Sequence, residues 1–466
     1  MMIGEAIRQY EEEIVEQLRR LIRIRSVSSD PAPGQPFGRG VDEALRYMLD
    51  LGSSMGFKVR NVDGYAGHVE YGDGDELAAI VVHLDTVPEG EGWSSPPFAA
   101  DVRDGIIYGR GASDNKGPAV VALYALKALK DLGIQPDRKL RVIFGTNEET
   151  GMTDLDYYFE RERIPDYAFT PDAGYPIVNA EKGSYDLRLT SARGEHFGGE
   201  PSRAFDIVSF EGGSAPNVVP EQCIVRLKPG EPIERQASLI GQKLESHPYI
   251  SVGSLEGPIL ELKALGFSAH GATPNEGVNA ISRMIAFLAD LLGEFPESES
   301  LLRFLNEAIG FETTGESLGV ACQHPVHGQL TVNLAQIAIN DKTLEAVINI
   351  RYPVVARGED VLSDISKKAG LYQVGVEVIK HLPSVLVDPG DPLIAKLGRA
   401  YEAVTGEPAR LLSISGGTYA KKLRNRGVAF GAGVGGRAHQ SDEFAPIADL
   451  MDHGVICLQA IYELSL

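Results

Sequence analysis

Residues 77–83 read Leu-Ala-Ala-Ile-Val-Val-His, an unbroken apolar run that ends on a histidine. Such a run suits a strand covered on both faces, and strands of that kind belong to α/β sheets with helices packed above and below. Leu140-Arg-Val-Ile-Phe-Gly145 and Tyr167-Ala-Phe-Thr170 repeat the texture. Between the first two runs the pattern predicts a helix over 118–132, with a proline in its first turn and Gly133 beyond its end. Two further helices are expected before the first run, an amphipathic one over 5–25 and another over 41–56, separated by a Ser-, Pro- and Gly-rich loop. The alternation of strand and helix places this part of the chain in the α/β class.

From about Ser184 the texture changes. Segments 186–190, 223–227, 259–265, 329–339 and 343–350 alternate or half-alternate, as strands with one wet face do, and helices fall near 233–246 and 280–295. Strands with two helices, roughly twice over, suggest an α+β domain of two related halves. The α/β texture then returns, with a helix over 393–404, a strand at Val428-Ala-Phe-Gly431 and a closing helix from about Ile447. A chain of 466 residues is too long for one ordinary core. The expected division is a discontinuous domain, 1–185 and 386–466, with 186–385 inserted.

The net charge is −21, from 44 basic and 65 acidic residues. This argues against nucleic acid and anionic membrane surfaces as partners, since both require a basic face. The three cysteines, Cys223, Cys322 and Cys457, are far apart and suggest neither a disulfide framework nor a thiolate metal site. The N-terminal segment lacks a signal-peptide apolar core, and no stretch approaches the roughly 20 apolar residues of a membrane span. A cytoplasmic location is expected.

The chemistry-bearing residues follow the apolar runs. His83 and Asp85 close the first, and residues two apart on a strand point the same way. Asp114 lies in Gly109-Arg-Gly-Ala-Ser-Asp-Asn-Lys-Gly117, just before a helix, where an N-cap is the plainer reading of this residue taken alone. The glycines there are not a phosphate loop, because no Gly-Lys-Ser/Thr follows. Glu148 and Glu149 follow the second run, and two adjacent buried carboxylates repel each other unless a cation or proton separates them. Asp172 follows the third run after a proline, where a turn aspartate is the plainer reading. His439 sits in the returning segment after a glycine-rich loop. Together these residues supply oxygen and nitrogen donors without thiolate, a set suited to zinc, manganese or cobalt in an open catalytic site.

Val82-His-Leu-Asp-Thr-Val-Pro88 with Gly92-Trp93, Gly109–Gly117, Asn147-Glu-Glu149 and Ala438-His-Gln-Ser-Asp-Glu443 resemble the aminoacylase/carboxypeptidase family of co-catalytic metallopeptidases. Pro36-Phe-Gly38, Glu181-Lys-Gly183, Pro216-Asn-Val-Val-Pro220, Asn349-Ile-Arg-Tyr-Pro353 and Gly416-Gly-Thr-Tyr-Ala420 are most similar to its PepV-type bacterial dipeptidases. The resemblance implies a zinc-peptidase-like mixed sheet flanked by helices, with an inserted α+β lid of two ferredoxin-like halves. It implies that Asp114 bridges two metal ions, His83 and Asp172 completing one site and Glu149 and His439 the other. Glu148 would be the general base and Asp85 would orient His83. His270 and Asn217 would stabilise the oxyanion, and Arg351 with Gly416, Gly417 and Thr418 would hold the substrate's C-terminal carboxylate. Taken alone, His270 is also a turn histidine, Arg351 a strand-surface charge and Asn217 a turn former. Two departures fall on the pocket wall: Phe430-Gly-Ala-Gly-Val-Gly-Gly436 lacks an expected proline, and Ser415 stands where glycine is usual.

The expected activity is hydrolysis of dipeptides with a free C-terminal carboxylate, by a functional monomer whose inserted domain closes over the substrate. Deacylation of N-acyl or N-succinyl amino acids is the alternative within the family. A non-catalytic metal-binding scaffold is the alternative outside it, and the presence of every ligand and of the base argues against that.

Overall fold

The computed structural model describes residues 1–191, 205–230, 233–256, 259–293, 295, 299–340 and 344–466. Their contacts form two compact units: Met1–Ala180 with Val385–Leu466, and Glu181–Ser384.

The first unit is built on a nine-stranded mixed sheet. Its order is Lys58–Val62, Ala66–Tyr71, Lys139–Gly145, Leu77–His83, Tyr167–Thr170, Gly427–Ala429, Ile177–Glu181 and Val385–Leu386, with Leu411–Ile414 paired to Ile177–Glu181. The four strands from Lys139–Gly145 to Gly427–Ala429 run parallel, side by side. All seven residues of Leu77–His83 are buried, as an apolar strand in the middle of a covered sheet must be. The helix Lys116–Asp131 buries nearly its whole length and packs against the closing helix Ile447–Ser465. At the N-terminus, Gly4–Tyr10 is a 3-10 helix that continues as the α-helix Glu11–Ile22. Its Ile14, Leu18 and Leu21 are fully buried, each contributing about 1.5–3 kcal/mol of transfer free energy.

Several strands of this unit escape sequence patterning. The edge hairpin Lys58–Val62 and Ala66–Tyr71 begins with four exposed residues, so its first strand carries no alternation. A small three-stranded sheet joins Asp101–Arg103, Ile106–Tyr108 and Phe444–Pro446. It fastens the segment after His439 beside the strand that leads to Asp114.

The second unit is an eight-stranded sheet. Its order is Ile250–Glu256, Ile259–Leu265, Gln222–Pro229, Phe205–Gly212, Thr331–Ile339, Leu344–Tyr352, Gly183–Thr190 and Gly375–Leu382, with every neighbouring pair antiparallel. The strand Gly183–Thr190 alternates buried and half-buried positions over its second half, as expected of a sheet with one wet face. Ala280–Leu292 supplies Ile281, Met284, Phe287 and Leu288 to the core and is capped by Asn279, whose side chain accepts from the amides of Ile281 and Ser282. The strand expected from 343 begins at Leu344, Thr343 lying outside the described residues; the helix expected over 280–295 ends at Leu292, and 294 lies outside them too.

Candidate metal centre

In the first unit the parallel strands deliver their C-terminal ends to one edge, the place where open α/β sheets build sites. Register places His83 opposite Gly145 and Thr170 beside Ala429. The chain therefore leaves four neighbouring strands as His83-Leu-Asp85, Thr146–Glu149, Pro171-Asp172 and the loop that runs from Phe430 to His439. Asp114 arrives from the loop before the helix Lys116–Asp131.

These residues converge. Asp114 stands between two imidazoles: its Oδ1 is 3.0 Å from His83 Nε2 and its Oδ2 is 3.1 Å from His439 Nε2. His83 Nε2 lies 3.6 Å from Asp172 Oδ1, and His439 Nε2 lies 3.0 Å from Glu149 Oε2. Ligand atoms of His83, Asp114 and Glu149 fall within 4.8 Å of one another, and so do those of His83, Glu148 and Asp172. Asp114 does not cap the helix that follows; Asn115 occupies the N-cap position, and it makes no capping bond. His439 holds a left-handed backbone, φ 64°, which presents its ring from the loop.

The electrostatics are those of a site that demands positive charge. Burial pushes the Glu148 carboxyl well up, and the charges of Asp172, Glu149 and Asp114 add to this. Burial likewise raises Glu149, to about 7, and Asp172. Hydrogen bonds to Asp114 and Glu149 push His439 up to about 11. Burial alone would lower His83, but Asp172 and Asp114 carry it well above its ordinary value. Three of the four clustered acids are thus pushed toward their neutral forms and both imidazoles toward their charged forms, while His439 and His83 hold Asp114 low against its burial. Glu149 Oε1 is buried without a hydrogen-bond partner among the described residues. Two divalent cations fit this donor set: they would hold the acids ionised and the imidazoles neutral.

The sequence pattern of Peptidase family M20/M25/M40 matches residues 79–463. The chain belongs to this family. It is 36% identical over 468 residues to "Putative dipeptidase YtjP" of Bacillus subtilis, a match covering 99% of both chains. It is 32% identical over 472 residues to "Putative dipeptidase SH1171" of Staphylococcus haemolyticus, again covering 99% of both. Among solved structures the fold is similar to human carnosine dipeptidase 1, with TM-score 0.59 and 16% identity over 99% of this chain and 98% of that one. It is also similar to aminopeptidase PepT of Bacillus cereus, with TM-score 0.57 and 16% identity over 98% and 99%. Among the described residues of this M20 peptidase no helix is long and apolar enough to cross a membrane.

The supporting contacts differ from the sequence expectation in one detail. His83 Nδ1 lies 3.0 Å from the backbone carbonyl of Asp85 and 3.5 Å from its carboxylate. That carboxylate instead accepts from the amides of Glu148 and Glu149, each at 3.1 Å. Asp85 thus holds the imidazole through its main chain and the glutamate pair through its side chain. Three further residues were not singled out from sequence. Asn115 donates to Pro171 O and Asp172 Oδ1, at 2.8 and 3.1 Å. Glu443 accepts from Arg110, Gly111 N, Ser113 N, Ser113 Oγ and Asp114 N, holding the whole Asp114 loop. Lys116, fully buried, donates to the carbonyls of Leu21 and Ile24 at the end of the N-terminal helix. Glu443 was in view within the His439 motif, but its role depends on partners more than 300 residues away.

The remaining candidates divide between the units. Gly416, Gly417 and Thr418 form the turn between Leu411–Ile414 and the 3-10 helix Tyr419–Lys422 in the first unit, with Thr418 buried and its hydroxyl accepting from Ala420 N at 3.1 Å. Asn217, His270 and Arg351 belong to the second. There Gly271 N donates to Asn217 O at 2.7 Å and His270 bridges Val218, so Asn217 and His270 stand on paired, exposed loops. Arg351 is half-buried on Leu344–Tyr352, its Nε 3.1 Å from Asn349 Oδ1, and burial lowers its guanidinium from the ordinary value.

Proposed function

We propose that this M20 peptidase is a metal-dependent dipeptidase that cleaves the amide bond of dipeptides with a free C-terminal carboxylate. The observation that carries the reading is Asp114, whose two carboxylate oxygens each face a different imidazole, with Asp172 on one side and Glu149 on the other. His83 and Asp172 would hold one cation, Glu149 and His439 the second, with Asp114 shared; zinc suits the donors best, and manganese or cobalt also fit. When bound, such a pair supplies Lewis acidity that brings the pKa of water toward neutrality. Glu148 is the carboxylate beside that pair suited to proton transfer, because it clusters with His83 and Asp172 and its backbone amide is held by the buried Asp85 carboxylate. It takes the proton from the attacking water and passes it to the leaving nitrogen.

The proposal gives the second unit the role of a lid with ferredoxin-like halves. His270 and Asn217 donate to the developing oxyanion, and Arg351 with Gly416, Gly417 and Thr418 receives the substrate carboxylate. That relatives matched over 99% of their length carry dipeptidase in their names supports the choice of dipeptides over N-acyl amino acids for this chain. A monomeric, cytoplasmic enzyme completes the reading.

The test combines metal analysis with a substrate panel. Protein purified without added metal, then titrated with zinc, manganese or cobalt, should bind two equivalents and hydrolyse dipeptides in proportion to occupancy. Activity that survives complete chelation would end the metal assignment. Hydrolysis of N-acyl amino acids in preference to dipeptides would replace the substrate class.

A further inference from the structure

The turn that carries Glu148 and Glu149 is held by its backbone to an unusual degree. Four successive amides, from Thr146 to Glu149, all donate to buried carboxylates. Asp85 takes the last two. Asp154, from the helix Thr153–Arg161, takes the first two on one oxygen, Thr146 N at 2.6 Å and Asn147 N at 3.1 Å. The same Asp154 oxygen accepts the hydroxyl of Tyr419, and both residues are fully buried. Room for that hydroxyl exists only because residue 145 is glycine: a Cβ there would lie 2.0 Å from Tyr419 Oη. The Tyr419 ring also stands edge-on to the His83 imidazole, centroids 6.2 Å apart and planes at 87°.

We propose that Asp154 and Tyr419 are positioning residues for Glu148 and Glu149. Asp154 fixes the two amides that enter the glutamate turn, as Asp85 fixes the two within it. Tyr419 fixes the Asp154 carboxylate and the plane of His83 together. Rigid backbone is what a proton-transferring carboxylate requires, because displacement of a reacting group by about 1 Å can cost on the order of a hundredfold in rate. The inference rests on the reading of Glu148 as general base. It adds that the base is aimed by residues that touch neither substrate nor metal.

Tyr419→Phe keeps the ring and removes only the hydroxyl. The expected result is a kcat lower by about tenfold to a hundredfold, with the KM for a dipeptide within about twofold and bound zinc per chain unchanged. Hydrogen exchange at the amides of 146–149 should accelerate in the same variant, with or without zinc. Asp154→Asn should show the same split with a larger fall in kcat. An unchanged kcat, a rise in KM alone, or unaltered exchange at 146–149 would overturn the proposal. Glu148→Gln separates the two layers: full turnover in that variant would remove the general-base reading, and the exchange measurement on Tyr419→Phe would still decide whether the clamp exists.

Discussion

In the first unit His83, Asp114, Glu149 and Asp172 stand at or just beyond the ends of parallel strands or on a loop pinned by the buried Glu443, His439 alone reaching in from an exposed loop, and several of the contacts that hold them come from residues hundreds of positions away. In the second unit the candidate side chains His270 and Asn217 are exposed on loops joined by one short backbone pairing, at the margin of an antiparallel sheet. The contrast follows from the two tasks proposed for the units. A dinuclear centre concentrates four acids, so its geometry must be imposed by a scaffold that outweighs their repulsion. A hydrogen-bond donor to an oxyanion carries no such penalty and works from a loop. The first unit therefore invests buried polar groups in rigidity, and the second keeps the groups proposed for the oxyanion at the surface.

Substitutions can break this comparison in order of severity. Glu148→Ala should lower kcat by about a hundredfold to ten-thousandfold while zinc content, read by elemental analysis, stays the same. His270→Ala and Asn217→Ala should each lower kcat by about a hundredfold to a thousandfold with metal affinity untouched. If either variant lost metal, the division between a metal-holding unit and a transition-state-holding unit would fall. Arg351→Ala should raise KM for dipeptides by about tenfold to a hundredfold, as expected when a charge-assisted hydrogen bond worth about 1.5–3 kcal/mol is removed. C-terminally amidated substrates should be far less affected, and an equal effect on both would remove the carboxylate role. Glu443→Gln should weaken zinc binding by about tenfold to a hundredfold in a competition titration, because it loosens the Asp114 loop and leaves the ligands in place.

The effect furthest from the site, with none expected on turnover at neutral pH, is a pH dependence of stability carried by the scaffold. Burial, with Arg141 and Arg60 nearby, lowers His68 from 6.5 to about 3. The unfolded chain therefore binds a proton there that the folded chain refuses. Stability from this group is full above about pH 6.5 and is lost as pH falls toward 3, with a slope of about 1.4 kcal/mol per pH unit. Denaturant melts of wild type and His68→Gln across pH 4–8 should differ by that slope. Parallel curves would show that His68 takes up its proton in the folded protein as easily as in the unfolded one.

Sequence alone determined the buried central strands, the change of texture through the middle of the chain and the types of ligand, because these depend on short-range periodicity and on chemistry at strand ends. The apolar run at 77–83 needs no tertiary information to be read as a covered strand. The edge hairpin at 58–71 was not legible, because its outer strand faces water and lacks a pattern. Only the tertiary structure decided that Asp114 faces two imidazoles and leaves the helix end uncapped, that the Asp85 carboxylate serves the glutamate turn, and that Glu443, Asp154 and Tyr419 support the site. Those assignments depend on strand order, which brings residues 83, 114, 149, 172 and 439 to one edge of one sheet. A hydrogen bond between positions 114 and 443 leaves no trace in local composition, because the distance along the chain that separates its partners is closed by the fold alone.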